Sequence, residues 1–186
     1  MDVFEAIHHR HMQGKIKQDA VPRALIEKLL SAAVQAPSHY KVRPWRFVVL
    51  TGNARNKLGD VFAASQLDRK PDLPQEALDK IRALPLRAPV LIAVGVDKPS
   101  EEKVLEIENI CAVAAACQNL LLAAQAEGLA VKWRTGEWAR DAKVKEFLNF
   151  SADQHIIAFL YIGYPEFTAE HEARPSFEDR TVWREE

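Results

Sequence analysis

Three short stretches concentrate side chains able to hold a ligand. The first, Arg10-His11-Met12-Gln13-Gly14-Lys15, sets two long cations and a histidine in one loop. A phosphate monoester is best held by several such donors, because each charge-assisted hydrogen bond contributes roughly 1.5–3 kcal/mol. Gly14 lets the backbone turn or approach a ligand closely. The plainer alternative is a solvated basic loop at the negative end of the preceding helix dipole. The second stretch, Ala36-Pro37-Ser38-His39-Tyr40-Lys41-Val42-Arg43-Pro44-Trp45, brackets a loop dense in hydrogen-bonding groups between two prolines. Loops held rigidly by a scaffold often carry function; the alternative is a stiff connection with Trp45 in the core. The third, Lys132-Trp133-Arg134-Thr135-Gly136-Glu137-Trp138, leaves the end of a strand, where ligands of sheet proteins tend to bind. There Trp133 can flank an aromatic ring and Arg134 can bond an anionic or carbonyl edge. Ordinary turn chemistry at an exposed strand end is the alternative.

The elements that must position these stretches follow from periodicity. Asp2 is expected to cap a helix through His8 or His9, and Arg10 to Ala20 reads as a loop. Pro22 opens a helix carrying Leu25, Ile26, Leu29, Leu30, Ala33 and Val34, which Ala36-Pro37 ends. A strand follows over Arg46 to Thr51, then a helix capped by Asn53 and another around Ala77 to Leu84. The unbroken apolar run Val90 to Val96 marks a strand covered on both faces. Ser100 is expected to open a long helix to about Glu127, stopped by Gly128; it is apolar nearly all round from Ile110 to Ala126 and should be the most buried element. Leu129 to Arg134 and Ile156 to Ile162 read as strands, with a helix between them over Asp141 to Phe150. Four strands interleaved with helices make a sheet flanked by helices, whose strand order cannot be read. Residues 1–165 form one domain, and 166–186 a polar arm with a large aromatic, Trp183.

Composition bounds the function. The 186 residues are 48% apolar and 27% charged, with a formal net charge of −1. That leaves no global field for nucleic acid or an anionic membrane. No secretory-type opening is expected, and the longest apolar run, Ile110 to Cys117, falls far short of the ~20 residues of a membrane span. Cys111 and Cys117 lie six residues apart on one helix, about 9 Å by its rise, too far for a disulfide. Two buried free thiols in a reduced, cytoplasmic setting are expected. No dinucleotide fingerprint, P-loop, nucleophile elbow or metal-ligand spacing occurs. His8, His9 and His11 are too close in sequence to face one another on a helix, so no metal is expected.

In this order and spacing the three stretches resemble the FMN-dependent nitroreductase family, and its compact bacterial subgroup in particular. Arg10-His11-Met12 stands where the family carries Arg-(Arg/His)-Ser, and Ala36 to Trp45 where it carries A-P-S-x-x-N-x-Q-P-W. Arg87-Ala88-Pro89, Glu127-Gly128, Trp133-Arg134-Thr135-Gly136 and Tyr161-Ile162-Gly163-Tyr164-Pro165 also fit. The resemblance implies an α+β fold with a mixed central sheet sandwiched by helices, in an intertwined homodimer with FMN at the interface and the arm docking on the partner. It puts Arg10, His11, Met12 and Lys15 near the ribityl phosphate. Pro37, Ser38 and His39 would reach the flavin from the partner subunit, and Trp133, Arg134 and Thr135 would line the isoalloxazine. Arg174, in the arm, is a further phosphate candidate whose alignment is open. The activity implied is NAD(P)H-dependent reduction of nitroaromatics or quinones through FMN, with no side chain as acid or nucleophile. Met12 departs from the family's hydroxyl, and Lys41 and Arg43 from its Asn and Gln. These departures support an alternative, a non-catalytic flavin-binding or structural dimer of the same fold.

Overall fold

Strand β2, Val90–Val96, is buried along its whole length and sits inside a four-stranded sheet. The structure, a computed structural model, describes residues 1–167 and 173–185. The strands are β1 (Trp45–Thr51), β2, β3 (Ala130–Arg134) and β4 (His155–Gly163), in the order β1-β2-β4-β3. Successive side chains of a strand point to opposite faces. Val90, Ile92 and Val94 of β2, with Ala158, Leu160 and Ile162 of β4, therefore pack toward α2 (Arg23–Ala33) and α5 (Glu106–Ala126). Leu91 and Ala93, with Phe159 and Tyr161, meet Leu58 and Phe62 of α3 (Asn53–Arg69) and Val144 of α6 (Ala142–Phe147) on the other face. Two further helices complete the chain, α1 (Val3–His9) and α4 (Gln75–Arg82). An α+β sandwich of the expected kind results. All three strand pairings are antiparallel, however, where a mixed sheet was expected. Helical connections let either direction form, so connection length could not decide it.

Three local expectations are corrected. Gly52, with φ of 50°, is the residue before α3, and Asn53 is its first helical residue rather than its cap. Helix α5 starts at Glu106, not near Ser100. Val104 is buried and held in a turn, its N–H donating to the Glu101 carbonyl. The first turn of α5 closes only when Glu108 accepts from the Leu105 N–H at 2.9 Å. The two thiols are also unlike: Cys117 is buried and pushed up to about 12 by burial, whereas Cys111 is exposed. At about 100° per residue, six positions carry a side chain well round the helix. Apolar on all sides, α5 is thus covered on one side only, and Ile107 and Cys111 lie open on the other. The described part of the arm is likewise uncovered, with Phe177, Val182 and Trp183 all exposed.

Gly163, at the end of β4, allows the N-terminal loop to close on the sheet. A Cβ there would lie 2.6 Å from Ile16 Cγ2 and 2.7 Å from Pro89 Cδ. Gly163→Ala is expected to cost about 1–3 kcal/mol through overpacking. Gly14→Ala, where a Cβ meets nothing within 4 Å, should cost less than about 0.5 kcal/mol. Urea unfolding of the two variants checks the contrast, and equal midpoints would refute this account of loop closure.

Candidate functional site

The N-terminal loop gains its position from backbone bonds to the sheet. Asp2 and Glu5 form a capping box that starts α1, and Arg10 turns extended at its end, its N–H still donating to the Ala6 carbonyl at 3.0 Å. The chain then lies along the margin of the sheet. Gln13 N–H donates to the Val131 carbonyl at 3.2 Å, Glu166 N–H to Lys15 at 3.2 Å, and Lys17 N–H to Tyr164 at 2.8 Å. Gln13 is itself buried, and its Nε2 donates to the Phe167 carbonyl at 3.0 Å. A loop of long cations is thereby fixed as firmly as a strand.

Arg10 is the anomaly of this loop. Its Nη1 is buried without a hydrogen-bond partner among the described residues. Burial, and then the charge of Arg174, push its guanidinium below the usual arginine range. Arg174 approaches closely enough for its Nη2 to donate to the Arg10 carbonyl at 2.5 Å. Two guanidinium groups converging with an unpaired buried N–H is an arrangement that an anion would relieve. His11 has its Nδ1 against the His9 carbonyl at 3.1 Å and lines a small hollow with Gln13 and Phe167. Met12 is exposed and has no donor to offer.

Strand β3 sorts the third stretch by alternation. Trp133 packs with Val131 toward the α5 face, its Nε1 donating to the Ile157 carbonyl at 3.2 Å. Lys132 and Arg134 instead join Lys15, Arg87 and Tyr161 around a cavity of about 370 Å³. Four cations line it against one carboxylate, Glu166, and no ion pair joins any of them to a described residue. Lys15 lies over the Phe167 ring at 5.6 Å. Burial pushes the Tyr161 phenol up, with Arg134 and Arg87 opposing that shift. Thr135, exposed, follows β3, and Gly136 turns the chain at φ of 71°. That turn is anchored from α3: Arg69 pairs with Glu137 at 2.6 Å and lies 5.0 Å over Trp138, which stacks on Phe62 at 4.4 Å.

The second stretch lines a different cavity, of about 500 Å³. Pro37, Ser38 and His39 meet Ile107, Glu108 and Cys111 of α5 there. His39 Nε2 lies 3.3 Å from Glu108 Oε1. Ser38 Oγ accepts from the Arg43 N–H at 3.1 Å. Tyr40, Lys41 and Arg43 all hold positive φ, at 48°, 58° and 51°. Non-glycine residues pay for that conformation with strain, which concentrates at functional sites. Trp45 is core, as the plainer reading of this stretch had it.

One chain therefore brings Lys15 and Arg134 into a single cavity, with Arg10 on the same loop, and leaves Pro37, Ser38 and His39 in another. The residues added by the structure are Arg87 and Lys132, Gln13 as the tether, and Glu108 as the partner of His39. Lys132 and Arg134 stand two apart on a strand, a spacing that puts both on one face. Nothing local in the sequence connects Glu108 to His39.

Comparison with known proteins bears on what this arrangement holds. The model of the Nitroreductase family matches residues 7–164. A Haemophilus influenzae protein with the provisional name NAD(P)H nitroreductase is 31% identical over 175 residues, 94% of each chain. The structure of a nitroreductase-like family protein from Bacillus cereus superposes with a TM-score of 0.86 at 25% identity, covering 100% of this chain and 97% of that one. That of a provisionally named nitroreductase from Desulfovibrio desulfuricans, in complex with FMN, gives 0.74 at 25% identity, covering 99% and 97%.

Proposed function

The chain belongs to the Nitroreductase family, and on that premise we propose that it is an FMN-dependent oxidoreductase that draws on NAD(P)H to reduce nitroaromatics or quinones. The observation that carries the cofactor is the uncompensated positive charge at the sheet margin: Arg10 with an unpaired buried N–H, and four cations around one cavity. A phosphorylated, electron-rich ligand suits that charge, and the described residues offer no metal cluster in its place. The residues present thus fit FMN. The chemistry the flavin supplies is the uptake and return of an electron pair with a proton.

The chain's own residues bind and orient it. Arg10 and Lys15 supply charge for the phosphate side, His11 a ring nitrogen, Met12 only contact, and Arg174 a second guanidinium beside Arg10. Arg134, with Arg87 and Lys132, supplies positive charge for the electron-rich ring edge. Trp133 and Thr135 line the ring, and Trp133 offers only its aromatic surface because its N–H is bound to Ile157. Pro37, Ser38 and His39 come from the partner in a homodimer, since within one chain they line a separate cavity. The exposed Phe177, Val182 and Trp183 of the arm are surfaces such a dimer covers. Two unpaired cysteines agree with a cytoplasmic setting. Met12, Lys41 and Arg43 favour a second reading, a dimer of the same fold that binds flavin or nothing and catalyses nothing.

Arg10→Ala is expected to weaken FMN binding roughly ten- to hundredfold, the worth of one charge-assisted contact. Lys17→Ala, which removes the same charge from an exposed position, should change affinity less than about twofold if charge is screened there. Fluorescence titration of the apoprotein separates the two, and equal losses would rule out a specific phosphate contact.

The purified protein should be a yellow dimer, and NADPH and a quinone should take turns at one open face. Parallel double-reciprocal lines are the signature of that alternation. Intersecting lines would overturn the single-face site, FAD released on heating would overturn the cofactor, and a stable monomer at micromolar concentration would overturn the interfacial site. A colourless protein that takes up no FMN would establish the non-catalytic reading.

A further inference from the structure

The Ser38–Arg43 loop carries more than a wall for a ring requires. Its histidine is paired with a carboxylate on another element, its backbone is strained at three positions, and it borders a largely apolar cavity of about 500 Å³. We propose that His39, held by Glu108, is the proton donor to the electron acceptor. The proposal rests on the flavin reading above and deepens it.

The geometry assigns the two ring nitrogens different tasks. Nε2 faces Glu108 Oε1 at 3.3 Å. Nδ1 has no hydrogen-bond partner among the described residues. A carboxylate on one nitrogen fixes the orientation of the ring and leaves the other nitrogen free to exchange a proton with a ligand. Glu108 is a positioning residue: it belongs to α5, its side chain is mostly buried, and it lies one turn along from the open end of that helix. Ile107, Ala112 and Ala115 supply the apolar lining, suited to a flat aromatic acceptor. The other titratable groups nearby are Cys111 on α5, Lys103 at 4.3 Å over the Tyr40 ring, and the exposed Lys41 and Arg43 of the same loop. Glu108 is the only carboxylate among the described residues lining the cavity.

The step balances for a quinone. Two electrons and one proton would reach the acceptor as the hydride that bound FMN, charged by NAD(P)H, would supply. The acceptor's second carbonyl oxygen takes the proton from Nδ1 of His39, giving the hydroquinone. The imidazole is left neutral and recovers its proton from water. A nitro group uses the same donor as its N–O bond breaks and the oxygen leaves as water.

The test compares two acceptors on the FMN-loaded protein. A quinone needs the proton, whereas ferricyanide accepts single electrons and needs none. In His39→Gln, oxidation of the pre-reduced and FMN-saturated protein by quinone should slow on the order of 10²-fold relative to its oxidation by ferricyanide. The solvent deuterium isotope effect on quinone oxidation should vanish. Glu108→Gln keeps a hydrogen bond but loses the carboxylate that orients the ring. It should slow quinone oxidation more than ferricyanide oxidation, and Glu108→Asp should restore the quinone rate in part. FMN affinity of the apoprotein, titrated by fluorescence, separates loss of a flavin contact from loss of the proton donor in every variant, and His39→Asn serves if His39→Gln does not fold. Equal slowing with both acceptors, or an unchanged quinone rate, would overturn the proton-donor role while leaving the flavin reading intact. Weakened FMN binding with both acceptors equally affected would make His39 a flavin contact only. Failure of the parent protein to bind FMN would overturn both readings together.

Discussion

Like charges do not gather at a protein surface unless something else holds them there. Lys15, Arg87, Lys132 and Arg134 border one cavity, and two guanidinium groups meet at Arg10. Two like charges about 4 Å apart would repel by roughly 1 to 4 kcal/mol, depending on how much water screens them. No described carboxylate pairs with any of the four around the cavity. What holds them is the sheet. The loop from Gln13 to Lys17 is bonded through its backbone to Val131, Tyr164 and Glu166, and Lys132 and Arg134 are fixed by the register of β3 against β4. The rigid strand β2 and the two cores on either side of it thus have a functional consequence. They keep in place a concentration of charge that would disperse in a flexible chain, a field suited to an anion.

The same logic explains what could be read in the sequence. Elements with strong periodicity were legible almost to the residue: β2 at Val90–Val96, the end of α5 before Gly128, and β4 up to its terminal Gly163. The start of α5 was not, because Ser100 to Lys103 has a helical composition and only the burial of Val104 forces a turn there. Strand direction was not legible either, since an apolar run carries no sign of its neighbour's direction. The apolar character of α5 suggested full burial, yet hydrophobicity does not say what covers a surface, and one side of the helix stands open.

The candidate site was legible as segments and not as a site. Arg10, Lys15, Arg134 and the Ser38–His39 pair all lie in stretches whose composition suggests ligand chemistry. Their assignment to one ligand came from resemblance, because the distances between them depend on the fold. Arg87 stands in the segment before β2 and Lys132 beside Trp133, each with an ordinary local context, and only the cavity gives them meaning. The pairing of His39 with Glu108 joins residues 69 positions apart. Contacts across such a separation leave no trace in local spacing.

Strand β3 also says something about how such a protein can diversify. Val131 and Trp133 belong to the packed interior, while Lys132 and Arg134, between and after them, face the cavity. Substitutions at the second pair change what the cavity attracts without disturbing the first, and substitutions at the first leave the charge alone. Two adjoining sets of positions in a five-residue strand are thereby free to mutate under separate selection. A lineage can trade one ligand preference for another along this strand while its folding stability drifts little.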